Sequence, residues 1–197
     1  PDLVGNQFYR GAWMALNLGG GAFTAVQHLD PGLDGKVAAT GIALGDVDFD
    51  GDIDAVVSGG AEDHDSADVP PTVLLANEGG VLRATGTLSE GYGVAAIGTT
   101  FTDRDWDGVP EILQITGADA PGLPNAFWEY DDGWRDIAPQ LGIDLNLAGM
   151  GVAVTDLNDD GFMDFCGSDV GAPLCMQSLP DGTYVEVGQA LGIEPAV

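Results

Sequence analysis

The chain has 197 residues, of which 45% are hydrophobic, and this suits one domain of moderate size with a buried core. It carries 32 acidic residues against 5 lysines and arginines, which gives a formal charge of −27. This charge argues against nucleic acid and anionic membranes as partners, because both are bound through clustered basic residues. No apolar run is long enough to cross a bilayer, and no segment reads as a signal peptide. The sequence does not begin with Met, as expected if processing or truncation removed such a signal.

The first 36 residues are predicted to form part of a repeated unit. Residues 13–26, WMALNLGGGAFTAV, combine apolar strands with a Gly-rich turn, the signal of a β-hairpin. The opening PDLV aligns with PEIL at 110–113, which places Asp2 at the ninth position of an acidic loop of the kind that follows. We therefore expect residues 1–36 to be a partial copy of a repeat.

An acidic loop comes next and recurs twice. Residues 41–54, GIALGDVDFDGDID, align without gaps with 98–111, GTTFTDRDWDGVPE, and with 151–164, GVAVTDLNDDGFMD. Each copy ends in Asp-x-Asp/Asn-x-Asp-Gly-x-x-Asp/Glu, nine residues that we number as positions 1 to 9. A single turn of this kind could be a solvated acidic turn, but three in register with matching flanks indicate a repeated structure. We name them loop one (46–54), loop two (103–111) and loop three (156–164).

Each loop is followed by a β-prone run and then by a pair of short strands with a Gly-containing turn. Those pairs lie at 72–85, 125–138 and 173–187. Four short antiparallel strands in each unit of about 50 residues match a β-propeller blade. We expect an all-β fold within a larger propeller of about seven blades, and a compact four-bladed ring that lacks one strand is the alternative. The predicted complete blades are 37–88, 89–144 and 145–197.

The loops have the chemistry of calcium sites. Ca²⁺ takes oxygen ligands, and a short loop wraps it when alternate side chains point inward and a glycine permits a sharp turn. Positions 1, 3, 5 and 9 would supply side-chain oxygens, and position 7 a backbone carbonyl. The predicted ligands of about three Ca²⁺ ions are Asp46, Asp48, Asp50, Asp54 and the carbonyl of Asp52; Asp103, Asp105, Asp107, Glu111 and the carbonyl of Val109; and Asp156, Asn158, Asp160, Asp164 and the carbonyl of Phe162.

Other metals and the other common calcium loop fit less well. Mg²⁺ prefers tight octahedral geometry with retained waters, and Zn²⁺ is usually bound by His or thiolate ligands. An EF-hand needs a bidentate Glu at position 12 and flanking helices. Here position 12 is Val57, Gln114 or Gly167, and the flanking sequences are β-prone.

The repeated pattern with its following hairpins resembles the FG-GAP and VCBS repeats. These occur in the β-propellers of integrin α subunits, in cartilage acidic protein and its secreted bacterial relatives, and in some lectins. The resemblance covers nearly the whole chain and implies that calcium pins the turn between the first two strands of a blade. Loop two departs from the family with Pro110 and Glu111, where Asp is usual at position 9, and the Phe-Gly and Gly-Ala-Pro sequences that name the repeat are poorly kept.

Two further features suggest sites outside the loops. Cys166 and Cys175 are spaced as on adjacent strands of a hairpin, so we predict a disulfide outside the cytoplasm, with two buried free thiols as the alternative. The acidic stretch 61–71 is either a solvated loop or an additional cation site. Its candidate ligands are Glu62, Asp63, His64 and Asp65.

Catalytic groups are scarce. His28 and His64 are the two histidines, and no Ser lies in a Gly-x-Ser-x-Gly elbow. The aromatic residues are expected to pack between sheets or to stack on sugars, and Trp106, inside loop two, is expected to point outward.

We predict a non-enzymatic module that is extracellular, on the cell surface or periplasmic. Structural calcium would support a scaffold that binds a protein or a glycan and contacts the rest of its own propeller. The alternatives are the propeller domain of a polysaccharide lyase or hydrolase and a purely structural repeat.

Overall fold

The computed structural model describes residues 2–7, 11–29, 38–60, 69–88, 93–117, 123–171 and 173–193. Regular structure in this part of the chain is almost entirely antiparallel β-sheet, with one short helix. The predicted all-β fold built from four-stranded antiparallel sheets is confirmed. The predicted cation site at Glu62, Asp63, His64 and Asp65 lies outside the described residues.

Within the described residues, four larger sheets follow one another along the chain, together with one two-stranded hairpin. The first has the order β1 (Leu3–Gln7), β2 (Gly11–Ala15), β5 (Gln27–Leu29), with a separate small hairpin formed by β3 (Asn17–Gly19) and β4 (Ala22–Phe23). The second is β6 (Ala38–Gly45), β7 (Asp54–Gly60), β8 (Val73–Asn77), β9 (Leu82–Thr87). The third is β10 (Ala96–Thr102), β11 (Glu111–Thr116), β12 (Ala126–Tyr130), β13 (Trp134–Asp136), followed by helix α1 (Ala138–Leu141). The fourth is β14 (Gly149–Thr155), β15 (Asp164–Asp169), β16 (Leu174–Ser178), β17 (Tyr184–Glu186).

Consecutive sheets share apolar clusters. Met14, Val57 and Leu75 belong to a cluster between the first and second sheets, and further clusters join the second to the third and the third to the fourth. Strands β7 and β11 are buried along their whole length, because the two faces of each strand pack into different apolar clusters. The first strands of the last three sheets contact one another in turn, β6 with β10 and β10 with β14.

Close approach and buried polar contacts fix how the second and third sheets meet. A Cβ on Gly45 would lie 2.6 Å from the ring of Phe101, so this position needs glycine. Gln114 is fully buried and donates to Ser58 Oγ at 2.6 Å and Thr72 Oγ1 at 2.9 Å. Its amide oxygen accepts from Trp128 Nε1 at 2.7 Å. This network satisfies the buried side-chain amide of Gln114 and the indole N–H of Trp128.

The fourth sheet contains a disulfide. Cys166 on β15 and Cys175 on β16 are register partners and are joined by a disulfide bond. In the part of the chain that the structure describes, no helix has the length and apolar character needed to cross a membrane.

Candidate metal centre

The three acidic loops occupy equivalent places and share one backbone conformation. Each connects the first strand of a sheet to the second: β6 to β7, β10 to β11 and β14 to β15. Position 6 is Gly51, Gly108 or Gly161, with φ of 93°, 85° and 90°. Glycine adopts this left-handed region without steric cost. Position 4 is also left-handed in every loop, with φ of 63° at Phe49, 60° at Trp106 and 58° at Asp159, a conformation that costs free energy in residues with a Cβ.

Backbone N–H groups orient the carboxylates at positions 1 and 5. The N–H of the position-6 glycine donates to the position-1 carboxylate in all three loops, at 3.0 Å to Asp46, 3.2 Å to Asp103 and 2.8 Å to Asp156. The N–H of position 7 donates to the position-5 carboxylate at 3.0, 2.7 and 2.9 Å. The same hydrogen bonds in three loops show that the repeat extends from sequence to side-chain geometry.

Loops one and two each bring three carboxylates together. One oxygen from each of positions 1, 3 and 5 lies within 4.8 Å of the others, in groups that could hold a metal ion. Among the described residues, Asp46 Oδ1 and Asp103 Oδ1 are buried and have no hydrogen-bond partner. A buried carboxylate oxygen without a partner costs free energy unless a cation compensates it. The two groups are Asp46, Asp48, Asp50 and Asp103, Asp105, Asp107.

Loop three has a different donor set. Asn158 stands at position 3, and its Nδ2 donates to Asp160 Oδ2 at 2.8 Å. The amide therefore replaces one carboxylate charge and also closes a hydrogen bond inside the loop. Its oxygen remains an acceptor of the kind that calcium binds.

Position 9 is part of a different arrangement. Asp54, Glu111 and Asp164 are at most 3% exposed, and none belongs to the groups formed by positions 1, 3 and 5. The carboxylate of each accepts from the backbone N–H of position 2 in its own loop, at 2.8 Å in all three cases. The same carboxylate also bonds to the third strand of the sheet in two of the loops. We call these two contacts together the position-9 latch.

The latch ties two of the loops to the third strand of their sheets. Asp54 Oδ1 accepts from Asn77 N at 2.8 Å, and Asp164 Oδ1 accepts from Ser178 N at 2.7 Å. In the first sheet Asp2 Oδ1 accepts from Asn17 N at 2.7 Å, at the same offset from the paired strands β1 and β2. Each carboxylate oxygen still has a second lone pair, so the ligand role of position 9 stays a prediction, as do the carbonyls of Asp52, Val109 and Phe162.

Desolvation, together with the crowded charges, raises the pKa values of three loop carboxyls. The pKa of Asp48 is raised by partial desolvation and by the neighbouring charges of Asp54 and Asp50. The pKa of Asp52 is raised by the same two effects. Burial raises the pKa of Glu111 to about 7, against the stabilising hydrogen bond from Arg104 N. The loops therefore favour uptake of positive charge, whether a proton or a metal ion.

Aromatic side chains at position 4 connect neighbouring units. Trp106 is 59% exposed, and its Nε1 donates to the carbonyl of Gly161, which links loop two to loop three. The ring of Phe49 lies 5.1 Å from that of Tyr130 on β12, which itself lies 5.5 Å from the ring of Trp134. Loop one thus contacts the third sheet, and loop two contacts the fourth unit.

Sequence reasoning missed two features of this centre. The first is the position-9 latch, because its partner on the third strand lies 14 or 23 residues away in the sequence. The second is Arg104 at position 2 of loop two, whose guanidinium lies 3.6 Å from Asp105. The sequence did contain a signal for it, because position 2 is apolar in loops one and three, as Val47 and Leu157, and is charged only in loop two.

Comparison with known proteins adds no relative. No protein-family model matches the sequence, and a search of curated proteins finds no match.

Proposed function

We propose that this chain is an extracellular β-propeller segment whose acidic loops bind structural Ca²⁺ and whose surface serves as a scaffold for a protein or a glycan. The observation that carries the proposal is that Asp46 and Asp103 each have a buried oxygen without a hydrogen-bond partner in the part of the chain that the structure describes. Each lies within a group of three carboxylates held by the same backbone bonds. Positions 1, 3 and 5 would hold the ion in loops one and two. Asp156, Asn158 and Asp160 would do so in loop three.

Calcium suits these donors better than other common metals. All are oxygens, the loops offer up to three carboxylates, and the described residues around them include no His or free thiol. Calcium tolerates irregular sets of carboxylate, amide and carbonyl oxygens, whereas magnesium demands tighter geometry. The bound ion would supply the positive charge that neutralises the carboxylates.

The propeller arrangement is supported by the way the sheets follow one another. Each of the three large apolar clusters is shared by two consecutive sheets, and the first strands of successive sheets contact one another. Sheets repeated radially with their first strands innermost would give these contacts. Membership of the FG-GAP and VCBS repeats is part of this proposal and is supported by the loop pattern at Asp46, Asp103 and Asp156.

A structural role for the ion follows from the place of the loops. The acid that ends each loop is also the first residue of the buried second strand. An ion that holds positions 1, 3 and 5 together therefore stabilises the strand start that the position-9 latch fixes. The Cys166–Cys175 disulfide agrees with an oxidising compartment.

The proposal is tested by calorimetry with and without calcium. Purified protein is treated with EDTA, its melting temperature is measured, and CaCl₂ is titrated back. A site with free ligand at a hundred times its dissociation constant adds about 2.7 kcal/mol, so the melting temperature is expected to rise by several degrees. MgCl₂ at the same concentration is the control, and a melting temperature indifferent to EDTA and calcium would refute structural calcium. A glycan array with and without EDTA then tests the scaffold role, and turnover of acidic polysaccharide would instead indicate an enzyme.

A further inference from the structure

Arg104 is unusual for its position. Position 2 of loop one is Val47, which is 5% exposed within the apolar cluster shared by the second and third sheets. Position 2 of loop three is Leu157, which is 39% exposed. Loop two instead places a guanidinium here, with a side chain only 12% exposed. A buried cation at a position that is otherwise apolar requires a nearby charge to stabilise it.

The surroundings of Arg104 show which charge that is. Its Nη2 lies 3.6 Å from Asp105 Oδ2, the position-3 member of the loop-two group. Its charge also opposes the upward shift of the Glu111 pKa. On the far side, Nη1 lies 3.1 Å from where a Cβ on Gly182 would be, so the side chain reaches the turn between β16 and β17. The guanidinium therefore lies between the loop-two acids and the fourth sheet.

Loop two consequently has a different charge balance from its neighbours. Loop one contains five acidic residues and no basic residue, and loop three contains four acidic residues and no basic residue. Loop two contains four acidic residues together with Arg104. Even so, Asp103 Oδ1 remains buried without a hydrogen-bond partner among the described residues, so Arg104 does not satisfy the whole group.

We infer that Arg104 is a tethered counter-ion that partly neutralises loop two in the absence of calcium and makes loop two a weaker calcium site than loop one. This inference rests on the proposed function. A fixed positive charge a few ångströms away repels a divalent ion and at the same time reduces the repulsion among empty carboxylates. Loop two thus gains stability without the ion and loses affinity for it.

The three loop glycines allow each site to be followed separately. Gly51, Gly108 and Gly161 all donate their backbone N–H to the position-1 carboxylate, so their amide resonances report the state of each loop. In a calcium titration followed by ¹H–¹⁵N NMR, we expect the Gly108 resonance to respond at a higher calcium concentration than that of Gly51. The difference should be roughly tenfold, the scale set by one like charge a few ångströms from a divalent ion in water.

Charge and packing are separated by two substitutions. Arg104→Met keeps an unbranched apolar stem between the sheets and removes the charge, while Arg104→Lys keeps the charge. We expect Arg104→Met to lower the Gly108 midpoint roughly tenfold, to leave the Gly51 midpoint in place and to lower the melting temperature in EDTA. Arg104→Lys keeps the positive charge and should therefore leave both midpoints close to those of the unsubstituted protein.

The outcomes separate this inference from the calcium proposal. If none of the three glycine resonances responds to calcium in the unsubstituted protein, the proposed function is refuted and the role of Arg104 with it. If they respond but Arg104→Met leaves the Gly108 midpoint unchanged or raises it, the calcium sites stand and the inference about Arg104 is overturned. An unchanged Gly51 resonance shows that the substituted protein is folded, and Arg104→Gln repeats the test should Arg104→Met fail that check.

Discussion

The position-9 latch predicts that Asp164 stabilises the fold even without calcium. Its two carboxylate oxygens accept from Leu157 N at 2.8 Å and Ser178 N at 2.7 Å, and the residue is fully buried. Asp164→Ala leaves the N–H of Ser178 unpaired in a buried position and the N–H of Leu157 unpaired in a half-buried one. Each such group costs about 1–3 kcal/mol, so the substitution should lower the free energy of unfolding by about 2–6 kcal/mol.

The matched control is Asp160→Ala in the same loop. Asp160 is exposed and accepts from the N–H of Phe162 at 2.9 Å, a bond that water can replace. In EDTA this substitution should cost less than about 1 kcal/mol, whereas in saturating calcium it should remove the stabilisation that loop three gains from its ion. The two substitutions therefore differ most where calcium is absent.

The measurement is urea unfolding followed by tryptophan fluorescence, in EDTA and in calcium, with calorimetry as a second readout. For a chain of this length the expected loss for Asp164→Ala corresponds to a fall in melting temperature of roughly 5–20 °C. Asp54→Ala should reproduce it in loop one, because its carboxylate makes the same two bonds. Equal losses for Asp164→Ala and Asp160→Ala in EDTA would show that the latch does not stabilise the fold independently of the ion.

Three further predictions concern single side chains. The pKa of Glu111 is raised to about 7, so the stability that Glu111 contributes is complete below its ordinary pKa and is lost as pH rises through about 7. Urea unfolding in EDTA should therefore show the free energy of unfolding falling from about pH 5 to pH 8. The Glu111→Gln substitution should reduce that fall. Gln114→Met leaves the buried indole N–H of Trp128 unpaired and should cost about 1–3 kcal/mol in urea, and no loss would mean that water or repacking replaces the bond. Trp106→Phe keeps a ring but removes the donor to Gly161 O and should cost about 0.5–1.5 kcal/mol, with a value at zero indicating that the contact between the loops contributes no stability.

Local pattern was enough to predict the strands and the clustering of positions 1, 3 and 5. Alternate residues of a tight turn point to one side, and Gly51 and its counterparts need a positive φ that their sequence position already suggested. The sheets were predictable for a related reason, because the apolar second strands and the Gly-containing hairpins are signals of short range. These features depend on neighbours within a few residues.

The remaining features depend on residues far apart in the sequence. The sequence pattern treats Asp54 as one more ligand, but its second hydrogen bond goes to Asn77, 23 residues on. Likewise the sequence shows Arg104 only as an isolated charge. The structure adds that its side chain reaches the turn at Gly182 on the next sheet. The left-handed φ at Phe49 and Trp106 was also not predictable, since bulky residues rarely adopt it.

The loops divide their carboxylates between two kinds of compensation, and this explains how so acidic a chain can fold. Asp54 and Asp164 are buried, yet each is met by two backbone N–H groups that stabilise its negative charge. Asp46 and Asp103 receive one N–H each and keep an oxygen that has no hydrogen-bond partner among the described residues. The first pair needs only the folded backbone, whereas the second would be compensated by the proposed ion. Monovalent salt screens exposed charges but does not replace ligand bonds to a divalent ion, so adding NaCl in EDTA should recover only part of the stability that calcium restores.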